Sequence, residues 1–223
     1  MHKIITVLSA FLFLSVFTGC IEVIEELTVT KDGKGHYRKT MDMSQLLSMK
    51  EMLSGAAKEG ADSTTNSGTE NSDNPAESIA KEWYAIKNME GLSNVTIDTA
   101  GYVFMLNYDF DSEAALNKAI AAESKDSPQA NVYNLAEKSV SRTGLGSTGD
   151  LLGEGEDDEN MEMMKTFFSD MKYKLVINLP GRVKSVSNKK ATIENDKTVK
   201  LETNLKDLVE KTSSLEMKID FKN

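Results

Sequence analysis

Leu215-Glu216-Met217-Lys218-Ile219-Asp220-Phe221-Lys222 alternates apolar and charged residues without a break. Successive side chains of a strand point to opposite faces, so this stretch reads as a strand with one face on a core and one in water. Tyr173, Leu175, Ile177 and Leu179 repeat the pattern, and Pro180-Gly181 ends it. Phe104, Leu106, Tyr108 and Phe110 make a third stripe. Val103 and Met105 are apolar on its other face, which predicts a central strand covered on both sides.

Working outward, one unit recurs three times: strand, tight turn, strand, then a helix begun by a small polar residue. The first copy is Leu27–Val29, a turn at Lys31-Asp32-Gly33-Lys34, His36–Met41 and a helix from about Ser44. The second is Val95–Ile97, a turn from Asp98 to Gly101, Tyr102–Phe110 and a helix from about Asp111. The third is Ala191–Ile193, a turn at Asn195-Asp196-Lys197, Thr198–Thr203 and a helix from Asn204. Asp-Gly is a hairpin signal because Gly takes positive φ at no steric cost. Ser, Asp and Asn at helix starts accept bonds from backbone N–H groups that would otherwise lack a partner. Helical spacing also fits Ile79/Trp83/Ile86, Leu116/Ala119/Ile120, Met161/Met164/Phe168 and Leu205/Leu208/Val209. Val132–Val140 is read as extended. The expected fold class is α+β: a mainly antiparallel sheet built from ββα-like units, with helices packed on one face.

Two stretches interrupt this pattern. Residues 54–77 are rich in Gly, Ala, Ser, Thr, Asn and Asp, and residues 141–160 are Gly-rich and then acidic. Neither carries enough apolar surface to offset its ordering entropy, so both are expected to be mobile low-complexity loops of one domain over residues 20–223.

Residues 1–19 read as an export signal. His2 and Lys3 precede a mostly apolar run from Ile4 to Phe17, too short to span a bilayer. Leu14-Ser15-Val16-Phe17-Thr18-Gly19-Cys20 closes it and resembles a bacterial lipobox. That resemblance implies cleavage before Cys20 and attachment of a thioether-linked diacylglycerol there. Cys20 is the single cysteine of the chain, so it has no internal disulfide partner. One myristoyl-sized chain binds a membrane only marginally, at about 0.8 kcal/mol per methylene, whereas two or three chains on Cys20 would hold. By analogy with envelope lipoproteins, Ile21 in place of Asp favours the outer membrane in a cell that has two.

Without residues 1–19 the chain holds 25 Lys and Arg against 35 Asp and Glu, a formal charge of −10, because Lys3 is the charged residue removed. This acidity argues against nucleic acid as a partner and against attraction to anionic head groups.

The chain carries few residues in patterns suited to chemistry. His36 lies beside a hairpin turn and reads as a surface strand residue. No His/Cys pair stands at ligand spacing, and Glu154–Glu159 lacks the alternating ligands and fixed Gly of a calcium loop, so no metal or cofactor is expected. No nucleophile elbow, phosphate loop or dinucleotide fingerprint appears, so an enzyme is not expected. Methionine is more suggestive. Met41, Met43, Met49 and Met52 lie on or near one predicted helix, and Met161, Met163, Met164 and Met171 on or near another. Thioethers suit adaptable apolar surfaces, so Met49, Met52, Met161 and Met164 are the candidate ligand-binding residues, with ordinary core filling as the alternative. Trp83 reads as core.

Leu179-Pro180-Gly181, Val183, Ser187-Asn188, Thr198-Val199 and the Asn204-Leu205 helix start, together with Cys20 ahead of the Leu27–Met41 hairpin, resemble the LppM-type bacterial envelope lipoproteins. The resemblance covers about half of the chain. It implies an envelope lipoprotein with an α+β domain that binds lipids or other amphiphiles, and no catalysis. Two functions are therefore expected: a membrane-anchored, non-enzymatic binding module for an amphiphile or envelope component, or a structural lipoprotein of an envelope protein complex.

Overall fold

The computed structural model describes residues 22–44, 75–99, 101–123, 131–144, 171–209 and 211–222. The chain order is β1 (Glu22–Val29), β2 (Gly35–Asp42), α1 (Pro75–Ile86), β3 (Leu92–Asp98), β4 (Val103–Phe110), α2 (Glu113–Ala122), β5 (Tyr133–Ala136) and β6 (Ser139–Arg142). It continues with β7 (Lys172–Asn178), β8 (Arg182–Val186), β9 (Thr192–Asn195), β10 (Thr198–Asn204), α3 (Leu205–Val209) and β11 (Met217–Lys222).

These strands form two sheets rather than the one expected. The larger has the order β3-β4-β2-β1-β7-β10-β9, and the smaller β5-β6-β11-β8. All three hairpins of the recurrent unit fall in the larger sheet. What joins them is not antiparallel throughout: β1 lies parallel to β7, so this sheet is mixed. The smaller sheet is antiparallel. The described residues are mostly β, in one mixed and one antiparallel sheet, with few helices, which meets the α+β expectation only in part. The repeating unit holds for its hairpins and less for its helices: α3 has five residues, and of the helix expected after β2 the described residues include only Ser44.

Turn chemistry explains the hairpins. In the β1–β2 turn Gly33 has φ +77°, and its N–H donates to the Thr30 carbonyl at 3.2 Å. Gly35 is needed for a different reason. A Cβ there would lie 2.5 Å from Phe110 Cζ and nearer still to the Thr28 carbonyl oxygen. Helix starts follow the expected chemistry, with Ser112 Oγ accepting from Ala115 N at 3.3 Å and Asn204 Oδ1 from Asp207 N at 2.7 Å.

One face of the larger sheet is buried. Register places Tyr108, Tyr37, Leu27, Ile177 and Val199 in one row across it, and Phe104, Met41, Val23 and Tyr173 in another. All nine are buried. Trp83 of α1 meets Phe104 edge-on at 6.5 Å and is itself buried, as its helical spacing predicted. Residues from the smaller sheet, including Val140, Met217, Ile219 and Phe221, belong to the same core. The last strand is β11, with Met217, Ile219 and Phe221 inside.

Several expectations need correction. Val103 is 40% exposed and Met105 half-buried, so β4 is not covered on both sides. Helix α1 begins at Pro75, inside the stretch read as loop 54–77; Pro suits a first helical turn, where its missing N–H costs nothing. Ser141 and Arg142 belong to β6, not to the loop read over 141–160. Val132–Val140 is extended but folds back at Glu137-Lys138 as the β5–β6 hairpin.

Candidate functional site

The two sheets meet over charged residues. On the buried face of the larger sheet, the row between the two apolar rows reads Leu106, Lys39, Glu25, Leu175 and Leu201. Glu25 and Lys39 are direct cross-strand neighbours, 3% and 4% exposed. Each is paired with a group from outside the sheet. Arg142 of β6 donates from Nη2 to Glu25 Oε2 at 2.9 Å. Lys39 Nζ donates to Glu123 Oε2, at the end of α2, also at 2.9 Å. Two acids and two bases therefore alternate in one interior with no net charge.

Tyrosines complete the cluster. The hydroxyls of Tyr133 on β5 and Tyr173 on β7 both donate to Glu25. Arg142 donates from Nη1 to the Gly144 carbonyl at 2.5 Å, and its guanidinium lies 5.7 Å from the Tyr133 ring centre. Tyr37 and Tyr108 stack at 5.0 Å nearby. Tyr133 is fixed in turn by Asn117 of α2, whose side chain accepts from its N–H at 2.8 Å and donates to its carbonyl at 2.7 Å. Glu113 of the same helix accepts from Leu135 N at 2.6 Å, so α2 occupies the bonding edge of β5.

The electrostatics follow from this geometry. Burial pushes the Glu25 carboxyl up, but the Arg142 charge and the donors Arg142, Tyr133 and Tyr173 outweigh it and hold Glu25 below its ordinary range. Burial, then the charges of Glu123 and Glu25, pushes the hydroxyls of Tyr37 and Tyr108 well up. Burial opposes the charge on Arg142, yet Glu25 beside it raises its pKa well above the usual value. A carboxylate held low is a weak base at neutral pH, and a guanidinium held high keeps its proton. The arrangement is suited to cross-linking β1 and β7 to β5 and β6 rather than to moving protons.

His36 lies elsewhere, on the exposed surface. Its Nδ1 is 2.8 Å from Asp109 Oδ1, while Asn94, at φ +52°, donates to Asp109 Oδ2 at 2.6 Å. Those two hydrogen bonds, Asn94 first, lower the Asp109 pKa. This matches the surface-strand reading of His36. Cys20, Met49, Met52, Met161 and Met164 all lie outside the described residues. The described methionines from the same two groups, Met41, Met43 and Met171, are each less than 5% exposed and fill the core. Among the described residues there is no cluster of metal-binding side chains, and no helix is long and apolar enough to cross a membrane.

The buried charges were not singled out from the sequence, although parity carried a signal. Glu25 shares the inward set with Val23, Leu27 and Val29, and Lys39 sits between Tyr37 and Met41. Arg142 shares its parity with Val140.

No family model matches the chain, and no curated protein matches it. Among solved structures, the chain is similar to the folded domain of LppM from Mycobacterium tuberculosis, determined by NMR, at 12% identity and a TM-score of 0.40. The match covers 91% of this chain and 89% of that one, and it is a distant structural resemblance.

Proposed function

We propose that this chain is a lipid-anchored protein of the bacterial cell envelope, fixed through Cys20, that serves as a non-enzymatic binding module for an amphiphile or other envelope component. The lipobox-like stretch Leu14–Cys20 carries the anchoring, and the fold adds a junction to it. Strand β1 begins at Glu22, two residues after Cys20, and runs between β2 and β7 inside the larger sheet. An acylated Cys20 would thus be joined to the folded body with almost no spacer. Ile21 in place of Asp directs the proposal to the outer membrane where a cell has two.

The ligand side of the proposal rests on the thioether-rich sequence around Met49, Met52, Met161 and Met164, whose flexible side chains suit a varied apolar ligand. A structural role in an envelope protein complex is the second reading. Ile193, 56% exposed on β9 at the end of the larger sheet's strand order, favours it.

Acyl labelling and fractionation of Cys20→Ala test the anchor, and the label must disappear with the substitution. Titration with fluorescent fatty acids and phospholipids tests the ligand. Saturable binding weakened by Met164→Asp supports the binding module. No saturable binding by folded protein leaves the assembly role ahead.

A further inference from the structure

We infer that the end of the larger sheet carrying Glu22, Tyr102 and Val103 rests on the bilayer interface, with the strands standing away from the membrane. This rests on the anchoring reading above and adds an orientation to it.

Register defines that end. Glu22 pairs with Asp42, Asp42 with Val103, and Glu22 on its other side with Lys172. The ladder between β2 and β4 extends one residue further, because Met43 N donates to the Tyr102 carbonyl at 2.7 Å. Tyr102 is therefore held at the very edge of the sheet, on the side from which the chain enters β1. Strands lie about 4.8 Å apart, so Val103, two strands from Glu22, is about 10 Å away laterally. Cys20 is bound more tightly still, since two residues span at most about 7 Å. The interfacial layer of a bilayer is about 5–8 Å thick on each side of its hydrocarbon core. An acylated Cys20 must sit in or beside that layer, and the Glu22 end of the sheet then has no room to stand clear of it.

Two exposed apolar side chains lie at this end, beside the charged Glu22, Asp42 and Lys172. Tyr102 is 39% exposed and Val103 40%, two of the four large apolar side chains that stand out as exposed among the described residues. A tyrosine at a membrane surface buries its ring while leaving its hydroxyl in water, and tyrosine is enriched at that depth. Gly101, at φ +70°, directly precedes Tyr102 at this edge. Ile193, 56% exposed, lies in the Leu27 row, nearer the opposite end; the tip of that end is polar. It carries Asp32 and Lys34 in the β1–β2 turn and the exposed His36–Asp109 pair. Eight residues of β1 place that turn about 23 Å further from the membrane.

Depth-dependent quenching tests the orientation in the full-length acylated protein. A single thiol is introduced as Tyr102→Cys or, at the far end, Asp32→Cys, and each is labelled with the NBD fluorophore. The labelled proteins are reconstituted into phosphatidylcholine vesicles containing doxyl-labelled phosphatidylcholine, and flotation of unsubstituted protein with the same vesicles is measured in parallel. The expected result is flotation, with quenching several-fold stronger at position 102 than at position 32. Flotation with equal quenching at the two positions, or stronger quenching at 32, overturns the orientation and leaves the anchor intact. Failure of unsubstituted protein to float overturns the anchor, and the orientation with it.

Discussion

Replacing Arg142 with Met should destabilise the fold by about 3–5 kcal/mol, because it strands the Glu25 carboxylate in the interior. The structure sets this magnitude. Arg142 and Glu25 have side chains only 1% and 4% exposed, so water cannot compensate for the lost partner. Tyr133 and Tyr173 would still donate to Glu25, but neither supplies a charge. Removing both charges with Glu25→Leu and Arg142→Met should recover much of the loss, since a buried pair often contributes little over an apolar replacement of similar size. Urea denaturation of residues 21–223 measures all three variants. Its pH dependence gives the sharper test. With Arg142 present, Glu25 is held low, so its contribution is present above the unfolded carboxylate value of about 4.3 and is lost as pH falls through the lower folded value. Without Arg142, burial is no longer outweighed and the folded pKa rises. The variant should then gain stability as pH falls from 7 towards 5, where the parent shows no such gain. A cost below about 1 kcal/mol, the range of an exposed pair, would refute the buried-pair argument. So would a pH slope unchanged from the parent.

Two further substitutions test neighbouring parts of the same reasoning. Lys39→Met should cost up to about 3–5 kcal/mol by removing the buried ion pair to Glu123 Oε2, and its effect should not add simply to that of Arg142→Met, because Lys39 and Glu25 are cross-strand neighbours; a double-mutant cycle in urea measures the coupling. Gly35→Ala should cost at least about 1–3 kcal/mol, since the added methyl meets the Thr28 carbonyl and the Phe110 ring, and thermal unfolding of the variant against the parent checks it.

Much of the secondary structure was decided by the sequence because its determinants are local. The alternation of Met217, Ile219 and Phe221 with charged residues predicts β11 without reference to any partner. Gly33 in its turn, and Asn204 ahead of α3, mark their boundaries through backbone conformation and one side-chain bond. Trp83 and Ile86 fall inside because they share one face of a helix. Assembly is another matter, because it is fixed by contacts far apart in the chain. Periodicity shows that the Tyr173–Leu179 stripe is a strand, but not that it pairs in parallel with β1, some 150 positions earlier, as Asn178 does with Thr28. Nor does it show that β5, β6, β8 and β11 leave the larger sheet to form a second one. The buried cluster shows the same division. Parity indicates that Glu25, Lys39 and Arg142 each point inward. Only the tertiary structure decides that Arg142 meets Glu25 and Lys39 meets Glu123, because each pair joins elements more than 80 residues apart, and a buried charge has no stable place until its partner arrives.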